Sequence, residues 1–175
     1  MLAFRFITLL VLGTIAWEDL RERSIHWWLL PVLAIAMLVP AWVELPMWEL
    51  GAQMGFNLLF LGMQLGGLLL FVVLRNRGWV DPVNRYIGSG DLYFFLVLAL
   101  GLSSANFVLF YLSGLALCIP AYLLLVKLWP ATERTVPTAG FLALYLMLWC
   151  MVDLFCNSCG LFTGSMAENL LGHAG

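Results

Sequence analysis

The sequence predicts an all-α integral membrane protein, one domain over residues 1–175 built as a bundle of about six transmembrane helices with both termini outside. Three observations lead there. Hydrophobic residues make up 63% of the 175 positions and charged residues 10%, against roughly 45–50% and about 25% in soluble domains. The mean hydropathy is +0.99. The charges are also grouped between long apolar runs, so no water-facing shell can be assembled from them. In lipid each spanning segment must satisfy its own backbone, which makes it a helix.

A span needs about 20 mostly apolar residues. The first candidate covers 2–18 and ends at Glu18-Asp19. The second, 27–43, lies between Arg23 and Glu44, and the third, 54–74, between Glu49 and Arg75. In the third, Gly62-Met63-Gln64-Leu65-Gly66 with Gly67 is expected to form a small-residue packing face, with Gln64 bonding across to another helix. The fourth, 91–106, opens on Asp91 and is divided from the fifth, 107–128, by the uncharged hairpin Leu102-Ser103-Ser104-Ala105-Asn106. Pro120 is expected to kink the fifth. The sixth, 137–156, carries Asp153 near its outer end, where it is expected to face water or a neighbouring helix.

Orientation follows from the eight basic residues. Arg21 and Arg23 follow span one, Arg75, Arg77 and Arg85 follow span three, and Lys127 and Arg134 follow span five; only Arg5 lies opposite. The positive-inside rule makes the three basic segments cytoplasmic. A cleaved signal peptide over 1–17 is the competing reading. Arg21 and Arg23 outnumber Arg5 and argue against it.

Other features exclude further classes. A net charge of −2 offers no polybasic surface for nucleic acid. Cys156-Asn157-Ser158-Cys159 is too few ligands for a structural zinc, which takes four; at the outer end of span six it could form a disulfide or a redox pair, and an incidental or structural pair is favoured over a functional one. Cys118 and Cys150 read as packing residues inside spans. His26 and His173 fall on opposite sides, which removes a Ser-His hydrolase. Trp17, Trp27, Trp28, Trp42, Trp48 and Trp129 sit at span ends, as an interfacial belt does. No metal or cofactor is expected.

Asp19 and Asp91 stand apart from the other acids. Asp19 lies at the inner end of span one and Asp91 at the start of span four, so both occupy the cytoplasmic boundary and meet if those spans pack together. Ionisable groups at membrane depth are costly and invite a functional explanation. Two neighbouring carboxylates share a proton, leaving one acid to polarise a carbonyl and one base to activate water. Gly88 and Gly90 allow a sharp turn or a close approach before Asp91. The plainer readings are an N-cap for Asp91 and pairing with Arg21 or Arg23 for Asp19. By helix dipoles, Asp91 at a helix start is the favoured ionised base and Asp19 at a helix end the proton-bearing partner.

The segment Asp19-Leu20-Arg21-Glu22-Arg23-Ser24-Ile25 resembles the first catalytic segment of the type IV prepilin peptidases. Gly88-Ser89-Gly90-Asp91 resembles their Gly-x-Gly-Asp signature, shared with preflagellin peptidases and presenilins. The resemblance covers the six-span layout. It departs at His26-Trp27, where the family has Pro-Asn, and at Tyr93, where it usually has Lys. It implies an aspartic endopeptidase of the prokaryotic inner membrane, with Asp19 and Asp91 catalytic and Gly88 and Gly90 shaping the motif. The implied partners are the lipid bilayer and a prepilin-like substrate whose short basic leader is removed and whose apolar helix lies beside spans one and four. The larger members' Cys-x-x-Cys segment, linked to N-methylation, has no counterpart between spans one and two, so methyltransferase activity is not expected. The alternative is a non-enzymatic polytopic protein, a transporter or pilus assembly subunit whose acids serve ion coupling or structure.

Overall fold

The computed structural model describes residues 2–22, 24–76, 88–128 and 138–156. Six α-helices and no strand occur among them: α1 (Leu2–Glu22), α2 (Leu29–Glu44), α3 (Met47–Asn76), α4 (Ser89–Gly101), α5 (Ser104–Leu128) and α6 (Thr138–Cys156). The Cys156–Cys159 pair, Trp129 and His173 have side chains outside the described set.

Helical periodicity decides what each helix hides. On α1 the buried stripe runs Thr8, Val11, Leu12, Ile15, Ala16 and then Asp19, the i, i+3, i+4, i+7 pattern of an inward face. On α6 it runs Ala139, Leu142, Ala143, Leu146, Cys150 and then Asp153. Each stripe of small and branched side chains ends in a carboxylate. The two helices form the most extensive contact in the fold and run antiparallel. Arg5 near the start of α1 meets Asp153 at 3.3 Å, and Asp19 near its end meets the start of α6. Asp153 therefore bridges to α1, the neighbouring-helix option among those expected. Phe110 of α5 stacks on Tyr145 at 5.3 Å and meets Trp149 edge-on at 5.7 Å, joining α5 to α6.

Two element boundaries differ from the expected ones. α3 begins at Met47, so the outer loop expected at 44–53 shrinks to Leu45 and Pro46. The Pro46 carbonyl accepts the Glu49 and Leu50 N–H groups at 3.0 and 3.1 Å, and Glu49 sits in the first turn, where the helix dipole favours an acid. From Trp48 to Gln53 only Gly51 disfavours a helix, by about 1 kcal/mol, and no proline interrupts it. α4 is only 13 residues long. It stops because Leu102 turns extended, at φ −98° and ψ 148°. The buried Asn57 amide donates to the Ala99 and Leu102 carbonyls at 3.0 and 2.8 Å, satisfying acceptors that a helix end leaves open. Ser103 Oγ accepts the Asn106 N–H and starts α5. Where α4 leaves the core, a Cβ on Gly101 would stand 2.6 Å from Met37 Cβ of α2, so a glycine is required for that approach.

The expected small-residue packing face on α3 is not one. Among the described residues nothing lies within 4 Å of a Cβ placed on Gly62, Gly66 or Gly67, and Met63 and Gln64 are exposed. α3 turns inward through Asn57, Leu61, Leu65 and Val72, and the glycines lie round the helix from that line. Cys118 and Cys150 are buried free thiols within helices, in keeping with a packing role. Pro120 lies inside α5.

Among the described residues two stretches are long and apolar enough to cross a membrane, Met47–Arg75 and Ser104–Ala121. Leu29–Glu44, Ser89–Gly101 and Thr138–Leu154 are apolar but shorter. Leu10, Leu59, Met63, Leu74 and Ile119 are among many large apolar side chains that face outward.

The Arg5–Asp153 pair sets the register of α1 on α6. Asp153 is buried while Arg5 is partly exposed, so removing Arg5 costs less than the roughly 3 kcal/mol of a fully buried pair. Arg5→Met is expected to lower unfolding stability by about 1–2 kcal/mol in chemical denaturation from micelles, and Arg5→Met/Asp153→Leu to recover most of that loss.

Candidate active site

The inward stripe that places Leu12, Ile15 and Ala16 against α6 carries Asp19 one further turn, to the level where α6 begins. The Asp19 side chain is buried, and its Oδ2 accepts the Gly140 N–H at 2.6 Å. Asp91 occupies the third helical position of α4, after the N-cap Gly88. From there its carboxylate reaches back to the Gly88 N–H, as the third residue of a capping box does. Its Oδ1 also accepts the Ala139 N–H at 2.9 Å, and the Thr138 hydroxyl donates to the same carboxylate.

The two expected acids therefore meet on consecutive backbone amides, whose Cα atoms stand ~3.8 Å apart. They lie within electrostatic reach of each other. The route differs from the expected one. Among the described residues α1 and α4 do not pack on each other; both pack on α6, and its first turn joins them. That turn holds no acid of its own, so the unpaired N–H groups and positive dipole end are served by carboxylates from two other helices. The α6 dipole acts on both acids, so the contrast expected from their own helices keeps its sign: Asp91 stands at two helix starts, Asp19 at one helix start and one helix end.

Of the two options expected for Gly88 and Gly90, a sharp turn or a close approach, the backbone shows close approach. Gly88 has φ −65° and ψ 139°, open to any residue, so no sharp turn demands a glycine there. A Cβ on it would lie 3.3 Å from Asp91 Oδ2, tight against the carboxylate. A Cβ on Gly90 would touch Ile25 Cδ1 at 3.4 Å, so the connection between α1 and α2 rests on the first turn of α4.

That connection is fixed by Glu18. One carboxylate oxygen, Oε2, accepts the His26 backbone N–H at 3.1 Å and meets its Nδ1 at 2.9 Å. Glu18 is thus turned to the loop while its neighbour Asp19 is turned to α6. Tyr93, Trp27 and Trp28 are exposed, as are Trp17, Trp42 and Trp48.

A cleft of about 480 Å³ reaches the site between α3, α4 and α5. Leu61, Leu65, Leu68, Leu92, Phe95 and Leu115 give it apolar walls, Gln64 and Tyr111 add polar groups, and Asp91 and Thr138 stand in its lining. Asp91 thus meets the cleft while Asp19 lies behind it. Among the described residues the cleft borders α4 and takes no lining residue from α1. Among the described residues no three His, Cys, Asp or Glu side chains are grouped to hold a metal. Thr138, Ala139 and Gly140 are the residues that sequence reasoning missed. The available signal was a run of small residues opening an apolar span after Pro137.

Comparison with family models, with curated proteins and with solved structures gives no match.

The Glu18 contact makes one pH prediction. Its hydrogen bond, and then its charge, raise the His26 pKa above the ordinary value of 6.5. A raised folded-state value means that the stabilisation is complete below about pH 6.5 and is lost as pH rises through the His26 value. NMR titration of His26 in micelles is expected to give a midpoint above about 6.5 that returns to the ordinary value in Glu18→Gln.

Proposed function

We propose that this chain is an intramembrane aspartic endopeptidase of the prepilin type, a six-span bundle with both termini outside and the dyad at the cytoplasmic side of a prokaryotic plasma membrane. The observation that carries the reading is the pair of hydrogen bonds from Ala139 and Gly140 to Asp91 and Asp19. Two acids far apart in sequence converge on one helix start, and one of them lines a cleft.

Shared protonation gives the pair its chemistry. With one proton between them, the ionised carboxylate takes a proton from water as the water oxygen attacks the peptide carbonyl carbon. The protonated partner gives its proton to the carbonyl oxygen, and the tetrahedral diol then loses the amine after proton transfer to nitrogen. Asp91 meets water and substrate, because it lines the cleft; Asp19 completes the dyad from behind. The motif resemblance at Asp19-Leu20-Arg21 and Gly88-Ser89-Gly90-Asp91 names the substrate class, a prepilin-like protein with a short basic leader.

A bilayer setting is supported by the apolar surface and by the exposed tryptophans at the ends of α1, α2 and α3, the placement of interfacial anchors. The 13 residues of α4 reach about 20 Å, short of the roughly 30 Å hydrocarbon core. At least one end of α4 then lies below a surface, and both ends have polar partners, Asn57 at one and the first turn of α6 at the other.

Co-expression with a prepilin is expected to yield leader removal by the wild type. Asp19→Asn and Asp91→Asn are each expected to reduce it by roughly a hundredfold or more at unchanged membrane levels. Cleavage that survives either substitution at the wild-type rate would leave the carboxylates as structural groups and overturn the proposal.

A further inference from the structure

We infer that Gly140 is a positioning residue of the dyad, acting through Asp19: the missing side chain at the second amide of the α6 turn lets the Asp19 carboxylate stand beside that of Asp91. The inference rests on the peptidase reading only for its activity measurements.

A side chain at position 140 has nowhere to go. A Cβ there would stand 2.9 Å from Asp19 Oδ2, 3.2 Å from Asp19 Cβ and 3.3 Å from Leu20 Cγ. The first two atoms belong to a short side chain on a packed helix, so the methyl group displaces Asp19 itself and not a flexible chain end. The same shift breaks the 2.6 Å bond from the Gly140 N–H. Asp91 is untouched, because its amide partner is Ala139. One added methyl group therefore separates the acids while leaving the carboxylate that lines the cleft in place.

Gly114 supplies the comparison. It lies on α5 and also faces α6, but a Cβ there would meet the Leu142 Cδ2 methyl and the Tyr145 ring edge. Those are ends of side chains, and neither belongs to an aspartate or to a residue that bonds one. Gly114→Ala imposes crowding on α6 without moving Asp19.

The test uses the purified full chain in micelles, comparing wild type, Gly140→Ala, Gly114→Ala and Asp19→Asn. Two quantities are read: steady-state cleavage of a prepilin, and pH titration of the protonated-carboxyl infrared band that Asp19→Asn removes. Loss of one hydrogen bond to a charged group corresponds to roughly a tenfold or larger change in either equilibrium or rate. Gly140→Ala is expected to lower kcat roughly tenfold or more with KM within about twofold, and to shift the midpoint of that band by about one pH unit. Gly114→Ala is expected to keep the wild-type pH profile even where it lowers Tm. Wild-type kcat and an unshifted band in a folded Gly140→Ala overturn the inference, as does the same shift in Gly114→Ala. If the wild type cleaves no prepilin, the peptidase reading fails, and the carboxyl titration alone decides the role of Gly140.

Discussion

The site depends on the open N-terminus of α6. A helix begins with N–H groups that its own backbone cannot satisfy and with a positive dipole end. Here the first turn has no acid of its own, and Asp19 and Asp91 supply one carboxylate each from α1 and α4. α6 is thereby closed by the residues it brings together. The arrangement explains how two helices without direct packing present their acids side by side. It also explains why the α1–α6 contact must be close: its inward faces are built from Ala16, Ala139, Gly140 and Ala143, with larger branched residues between them.

Antiparallel packing makes the opposite end mirror this one. The α1 stripe ends in Asp19 and the α6 stripe in Asp153, and each finds its partner at the start of the other helix, an amide in one case and Arg5 in the other. The Arg5–Asp153 bond fixes the register along the helices, and register decides whether Asp19 falls at the level of Gly140. Asn57 does the same for α4 by closing its far end. A charged pair and an amide remote from the dyad therefore serve its geometry. Glu18 adds a local constraint, holding His26 so that Ile25 covers Gly90 while the adjacent Asp19 points inward.

Much of this was legible in the sequence. The order of six helices follows from apolar runs and charge clusters, and the acids at one end of the bundle follow from where those runs stop. Their convergence was expected through α1 and α4. The sequence does not show that α6 mediates it, because backbone N–H groups are the same in every residue and leave no signature. Small residues at 138–140 are the sole trace, and small residues alone do not distinguish close packing from an open face. The glycines of α3 make that point, since they resemble a packing motif and face outward. Helix bounds depart from the apolar runs where a tertiary bond ends the helix, as Asn57 ends α4, or where a proline starts one, as Pro46 starts α3.

The most direct test of the central claim is a proximity measurement that needs no substrate. In a background with Cys118, Cys150, Cys156 and Cys159 replaced by alanine, Asp19→Cys/Asp91→Cys is treated with a short bifunctional thiol reagent in membranes, beside Asp19→Cys/Asp153→Cys. Convergence on the α6 turn predicts an intramolecular cross-link in the first pair and none in the second, which lies at opposite ends of the bundle. Equal labelling of both cysteines in the first pair without a cross-link would mean that the acids do not meet, and would contradict the account.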